Sequence, residues 1–225
     1  MKSMKYVLTG ALILTHLTGM NGIVAYAEDE VPAEEPASTG TSVANFELQA
    51  GDENTVPELL DPEVQPPTGN KGPLSLDAVS SFNFPTKKLG TESKLPLEAS
   101  PVEGTKLGVQ VTDERGKDLG WNLKVSATPF QTSDKTLELK GAIMTIPEGK
   151  LTTKQGVDPL LTPSAFKVDL STNPTSIMSA TTTQGRSTWL NTFEEKGEKV
   201  TLAVPSGNKV ASYSSTITWS LEDAP

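Results

Sequence analysis

Cysteine is absent from all 225 residues, and the single histidine, His16, lies in a segment that reads as removable. Lys2 and Lys5 give that segment a positive start, Tyr6 through Leu17 an apolar run, and Ala25-Tyr26-Ala27 a small-x-small cleavage pattern. The pattern predicts a secretory signal peptide over residues 1–27 and a mature chain starting at Glu28. Thr9, Thr15, His16 and Thr18 interrupt the apolar run, which is too short for a membrane span. A mature chain without Cys or His excludes Ser-His and Cys-His nucleophile pairs, His- or Cys-ligated zinc and any disulfide framework. An exported chain without cysteine suits Gram-positive secretion better than a small eukaryotic ectodomain, which would rely on disulfides.

Other absences narrow the function further. No glycine-rich phosphate loop, metal triad or cofactor fingerprint is present, so no cofactor and no metal are expected. Carboxylate pairs are plentiful, but none stands in a recognisable glycosidase context. The chain therefore reads as non-enzymatic. A sortase signal is also missing: Leu95-Pro96-Leu97-Glu98-Ala99 is a partial look-alike in mid-chain, and after the last strand only Glu222-Asp223-Ala224-Pro225 follows. Aromatic residues make up 5% of the chain, which leaves Trp121, Trp189, Trp219, Tyr213 and six phenylalanines as large anchors for a core.

Charge is unevenly placed. Eleven acidic residues face Lys71 alone between Glu28 and Pro73, whereas seventeen acids face sixteen bases from Leu74 onward. A nearly neutral body behind an acidic leader offers no basic footprint for nucleic acid or anionic lipid. Residues 28–40, EDEVPAEEPASTG, combine acid, proline and small residues and predict a disordered leader. Over 41–49, Ala44, Phe46 and Leu48 alternate with Val43, Asn45 and Glu47, an isolated strand; residues 50–73 return to proline-rich, linker-like chemistry.

From 74 to 225 the pattern is a main β core. Leu74, Leu76 and Ala78, then Leu107, Val109 and Val111, then Trp121, Leu123, Val125 and Ala127 alternate with polar partners. The break Asp113-Glu114-Arg115-Gly116-Lys117-Asp118 makes the second and third of these a predicted hairpin. Asp113, Glu114 and Arg115 there suit either a solvated turn or a cation site. Further strands are expected over 137–140, 142–146, 165–170, 177–181, 200–204 and 210–221, with Pro147-Glu148-Gly149-Lys150 and Ser206-Gly207-Asn208-Lys209 as turns. In the last strand Tyr213, Ile217, Trp219 and Leu221 share one parity and Ser214, Thr216, Thr218 and Ser220 the other. The fold class is all-β, a sandwich or barrel-like packing of mainly antiparallel sheets of about 8 to 12 strands.

Two Trp-x-Leu triplets stand far apart, Trp121-Asn122-Leu123 within VTDERGKDLGWNLKVSAT and Trp219-Ser220-Leu221 within YSSTITWSLEDAP. With TSVANFEL, TGNKGPLSLDAVSSFNFP and LELKGAIMTIPEG, they make residues 41–225 resemble the WxL domain family of Gram-positive cell-surface proteins, in its small, domain-only form. The resemblance implies non-covalent attachment to peptidoglycan or another cell-wall polymer at the cell surface. It also implies co-operation with other WxL proteins and a membrane-anchored WxL-interacting protein, and it associates members with adhesion to host matrix proteins. The alternative is an interaction module that reaches the wall only through such a partner.

The motif residues Trp121, Leu123, Trp219 and Leu221 have aliphatic same-face neighbours, as an inward strand face does, although tryptophan can also stack on sugar rings. Trp189 and Arg186, in Gly185-Arg186-Ser187-Thr188-Trp189-Leu190, suit either an exposed loop that contacts a ligand or partner or a loop whose tryptophan caps the core, and Tyr213 is a third contact candidate.

Overall fold

Period-2 alternation punctuated by turn clusters yields an all-β molecule in the computed structural model, which describes residues 41–90 and 94–224. The readings of a signal peptide over 1–27 and a leader over 28–40 lie outside the described residues. The strands are β1 (Leu74–Val79), β2 (Lys94–Glu98), β3 (Gly108–Asp113), β4 (Trp121–Ala127), β5 (Ile143–Ile146), β6 (Lys150–Thr153), β7 (Ser164–Ala165), β8 (Val168–Asp169), β9 (Thr175–Ala180), β10 (Ser187–Thr192), β11 (Thr201–Pro205) and β12 (Ile217–Asp223). A single 3-10 turn, Pro159–Leu161, is the only helix among the described residues.

Three four-stranded sheets result, in the orders β1-β3-β10-β6, β2-β11-β5-β8 and β12-β4-β9-β7. Every pairing of named strands within them is antiparallel. All three contribute to one core: Val109, Val111 and Trp189 from the first, Met144, Ile146 and Leu202 from the second, Trp121, Leu123, Val125 and Met178 from the third.

β3 and β4 do not form the expected hairpin. β3 pairs with β1 and β10, β4 with β12 and β9, so the 114–120 connection crosses from one sheet to another. Asp113, at the end of β3, is buried and held by Arg115, whose Nε and Nη2 donate to its carboxylate at 2.9 and 2.8 Å. Arg115 also donates to the Gly120 carbonyl at 2.7 Å and pairs with Asp223 at the end of β12. The hydrogen bonds to Asp113 hold the guanidinium protonated more firmly than usual. These residues fasten the crossing: Asp113 is buried and Glu114 and Arg115 half-buried, while Gly116, Lys117, Asp118 and Leu119 form an exposed tip.

Residues 50–73, linker-like by composition, lie against the outer face of the first sheet. Val64 is buried there with Ala78 and Leu190, and Leu59 and Leu60 pack against them. Lys106 ties this strap down through Asp61 and Glu63, at 2.8 and 3.0 Å, and its N–H donates to the Glu63 carbonyl at 2.8 Å. Lys106 and the Glu63 backbone hold the Asp61 carboxyl below its ordinary range.

Beneath the strap the sheet is polar rather than apolar. Alternation places Ser75 and Asp77 on the outer side, and a bulge in β1 between Leu76 and Ala78 turns Ala78 to that side as well; Ser75, Gln110 Nε2 and Thr112 donate to the Asp77 carboxylate. Gln110 Oε1 accepts from the Leu60 N–H at 2.8 Å and its Nε2 also donates to the Glu58 carbonyl at 3.0 Å. One glutamine side chain thereby satisfies two backbone groups of a proline-rich segment that has no ladder of its own. Burial raises the Asp77 carboxyl above its ordinary range against the opposing pull of those three donors.

Candidate functional site

The two Trp-x-Leu strands lie side by side. β4 and β12 are antiparallel neighbours with Leu221 opposite Leu123, Trp219 opposite Val125 and Asp223 opposite Trp121. The triplets thus meet at the leucine pair and run away from it in opposite directions, an approximate local two-fold that puts one tryptophan on each side. Alternation sends both tryptophans and both leucines to the core side.

Their environments nevertheless differ. β4 is interior to its sheet, and Trp121 is 0% exposed. Its indole N–H donates to the Gly185 carbonyl at 3.1 Å. A Cβ at Gly185 would stand 2.4 Å from that indole nitrogen, and the residue has φ +80°, so only glycine fits. Gly120, just before β4, is equally constrained: at φ +67° its Cβ would meet the Ala180 carbonyl at 2.4 Å.

β12 is an edge strand, and its inward residues Ile217, Trp219 and Leu221 are half-buried. Trp219 stacks on Phe193 at 6.4 Å between ring centroids, and Phe193 approaches Phe82 at 6.2 Å. Beside Trp219 and Leu221 a cleft of about 310 Å³ opens toward Leu74, Leu76, Asn70 and Lys71. At the Ile217 end a groove of about 520 Å³ is lined by Phe82, Phe84, Phe130, Met144 and Tyr213.

The opposite parity forms the outer face of this sheet. The register places Thr218 beside Ser126, Ser220 beside Lys124 and Ser176, and Glu222 beside Asn122 and Ser179. Thr218, Ser220 and Glu222 are exposed, the others half-buried. Lys124 donates to Glu222 at 2.6 Å, which holds that carboxyl below its ordinary range. Asn122 Oδ1 has no hydrogen-bond partner among the described residues. The result is an array of hydroxyls, one amide and one ion pair, whose rows follow the spacing between strands.

Trp189, expected in an exposed loop, is a β10 residue and 2% exposed, with its indole N–H donating to the Arg186 carbonyl at 2.8 Å. The surrounding Ser, Thr and Arg suggest solvent, yet Thr188 is buried in the polar layer under the strap, bonded to Thr112, and Arg186 and Ser187 are half-buried. Arg186 pairs with Asp118 at 2.7 Å on the partly exposed side. Tyr213 lines the 520 Å³ groove and donates to the Lys209 carbonyl at 2.7 Å; Trp189 and Arg186 do not line that groove. Of the outer-face array, the sequence exposed the Thr218–Ser220 hydroxyl row and the Asn122–Lys124–Ser126 parity, but not that the two strands adjoin.

Three antiparallel sheets around one core, the third with a polar outer face, make this an all-β domain. The model of the WxL domain surface cell wall-binding family matches residues 35–225, nearly the whole chain, and the protein belongs to that family. No curated protein and no solved structure matches the chain.

Proposed function

We propose that the protein holds non-covalently to peptidoglycan through the outer face of the β12-β4-β9-β7 sheet, as a component of a multi-protein layer at the cell surface. The observation that carries this reading is the division of labour within the paired triplets. Trp and Leu face the core, while the middle residues Asn122 and Ser220 belong to the open hydroxyl and amide array. Sugar hydroxyls and acetamido groups of a wall polymer both donate and accept, and so do the Ser, Thr and Asn side chains on this face. The open array suits an extended polymer better than a small molecule, which a concave pocket would hold.

The test is sedimentation of the purified mature chain with cell walls stripped of protein. The double variant Ser176→Glu/Thr218→Glu keeps the inward face intact, and its wall affinity should fall by about tenfold or more while its thermal melt stays close to wild type. Equal sedimentation of the two proteins refutes this face as the contact. Attachment through a partner, whether another WxL protein or a membrane-anchored WxL-interacting protein, is favoured by one specific observation, the outer edge of β12, which is unpaired among the described residues. It predicts no sedimentation with stripped walls and recovery only when the partner is added.

A further inference from the structure

Among the described residues six strands stand at sheet edges, and five are blunted. β1 is covered by the Pro67 bridge to Ala78, β2 carries Pro96, β6 is four residues long and opens on Lys150, and β7 and β8 have two residues each. β12 alone is seven residues long, without proline, lysine or bulge, and its outer edge has no partner among the described residues. Its inward set Ile217, Trp219 and Leu221 remains half-exposed over the two clefts. Unprotected edges of this kind accept a further strand.

The same chain carries a strand without a sheet. Residues 41–49, expected to be a strand, form none, and Val43, Phe46 and Leu48 are 84%, 89% and 85% exposed. Ala44, Phe46 and Leu48 repeat at the two-residue spacing of Ile217, Trp219 and Leu221, so one paired with the other would cover the half-exposed set.

Direction decides whose edge it serves. The Gly51 N–H donates to the Glu114 carbonyl at 2.9 Å, and the neighbouring Arg115 holds Asp223. The segment therefore ends at the corner where β12 also ends, and laid along its own β12 it would run parallel. Every pair of named strands is antiparallel, and the one parallel contact among the described residues is the isolated Val64–Lys106 bridge. An antiparallel fit requires another molecule. We propose that residues 43–49 of one copy add as a strand to the free edge of β12 in a second copy, reciprocally, in a two-fold dimer. The shared surface is the same on both partners, as closed two-fold assemblies require.

Sedimentation equilibrium of the mature chain should show a dimer, and Phe46→Glu should raise its dissociation constant by about 30-fold or more. Phe46 is solvent-exposed, so the variant tests association without risking the fold. Because the chain has no cysteine, Asn45→Cys with Ser220→Cys gives a second readout on the outward parity. Oxidation should yield a covalent dimer from the double variant and not from either single one. A wild-type chain still monomeric at about 1 mM, the weak limit of specific association, overturns the proposal. So does a dimer indifferent to Phe46→Glu, or a disulfide that closes within one chain.

Discussion

Two outer sheet faces in this molecule meet opposite fates. The β1-β3-β10-β6 face is roofed by residues 55–64, and Ser75, Asp77, Gln110, Thr112 and Thr188 beneath the roof are all buried. The β12-β4-β9-β7 face carries similar residue types and stays open. Roofing obliges nearly every polar group to find a protein partner, and Asp77 accepts three hydrogen bonds for that reason. The open face is under no such obligation, and its hydroxyls remain free to bond to whatever approaches. Similar chemistry thus stabilises the fold on one sheet and is left available on the other.

The comparison can be broken most severely from behind the open face. Trp121→Ala should lower the unfolding free energy by about 3–5 kcal/mol in urea denaturation. Trp219→Ala, at the half-buried edge, should cost about 1–3 kcal/mol. Equal costs would mean that edge and centre are packed alike. On the roofed face, Gln110→Ala should cost about 2 kcal/mol, because it strips Asp77 of a donor and leaves the Leu60 amide and the Glu58 carbonyl unpaired. Hydrogen exchange at the Leu60 amide should accelerate in the same variant, and an unchanged rate would show that the roof is held without it.

Asp77 sharpens the contrast through pH. Its carboxyl is raised in the folded state, so the stability it lends is fully present below the unfolded-state value of about 3.9 and is lost as pH rises through the folded value. Wild type should therefore lose stability relative to Asp77→Asn over that rise, and a constant difference in urea midpoint between pH 3 and 7 would rule the titration out. The smallest effect belongs to the open face, where Ser220→Asp should stay within about 0.5 kcal/mol of wild type in the same assay.

How much could be read from the chain follows the same division. β4 and β12 each have one buried face, and there the alternation gave both the strands and the inward parity of Trp121, Leu123, Trp219 and Leu221. β3 and β10 are buried on both faces, and the residues under the roof are polar. Thr188 beside Trp189 and Asn191 therefore resembled a solvated loop, and a β10 strand went unseen. In β2, Leu95, Leu97 and Ala99 alternate but Pro96 within the run argues against a strand, and β6 has only Leu151 as an apolar residue among threonine and lysine. Over 210–216 an apolar parity was present, but only Ser214 forms a bridge, and regular strand begins at Ile217. The strap read as linker because its backbone bonds go to the Gln110 side chain and to isolated bridges, contacts that no local pattern encodes. The β3–β4 hairpin failed for a related reason: adjacency in sequence did not become adjacency in a sheet.

The leucine-to-leucine meeting of the two triplets acts as an error check on the whole intervening chain. Loops between Thr128 and Ser212 could lengthen or shorten without moving Leu221 from Leu123, because the match is made across strands. Loss of one residue between Ile217 and Trp219 would instead turn Trp219 outward or break the pairing, since strand parity tolerates no odd shift. The distance between the triplets along the chain is therefore free to drift, and what selection can see is whether they still meet.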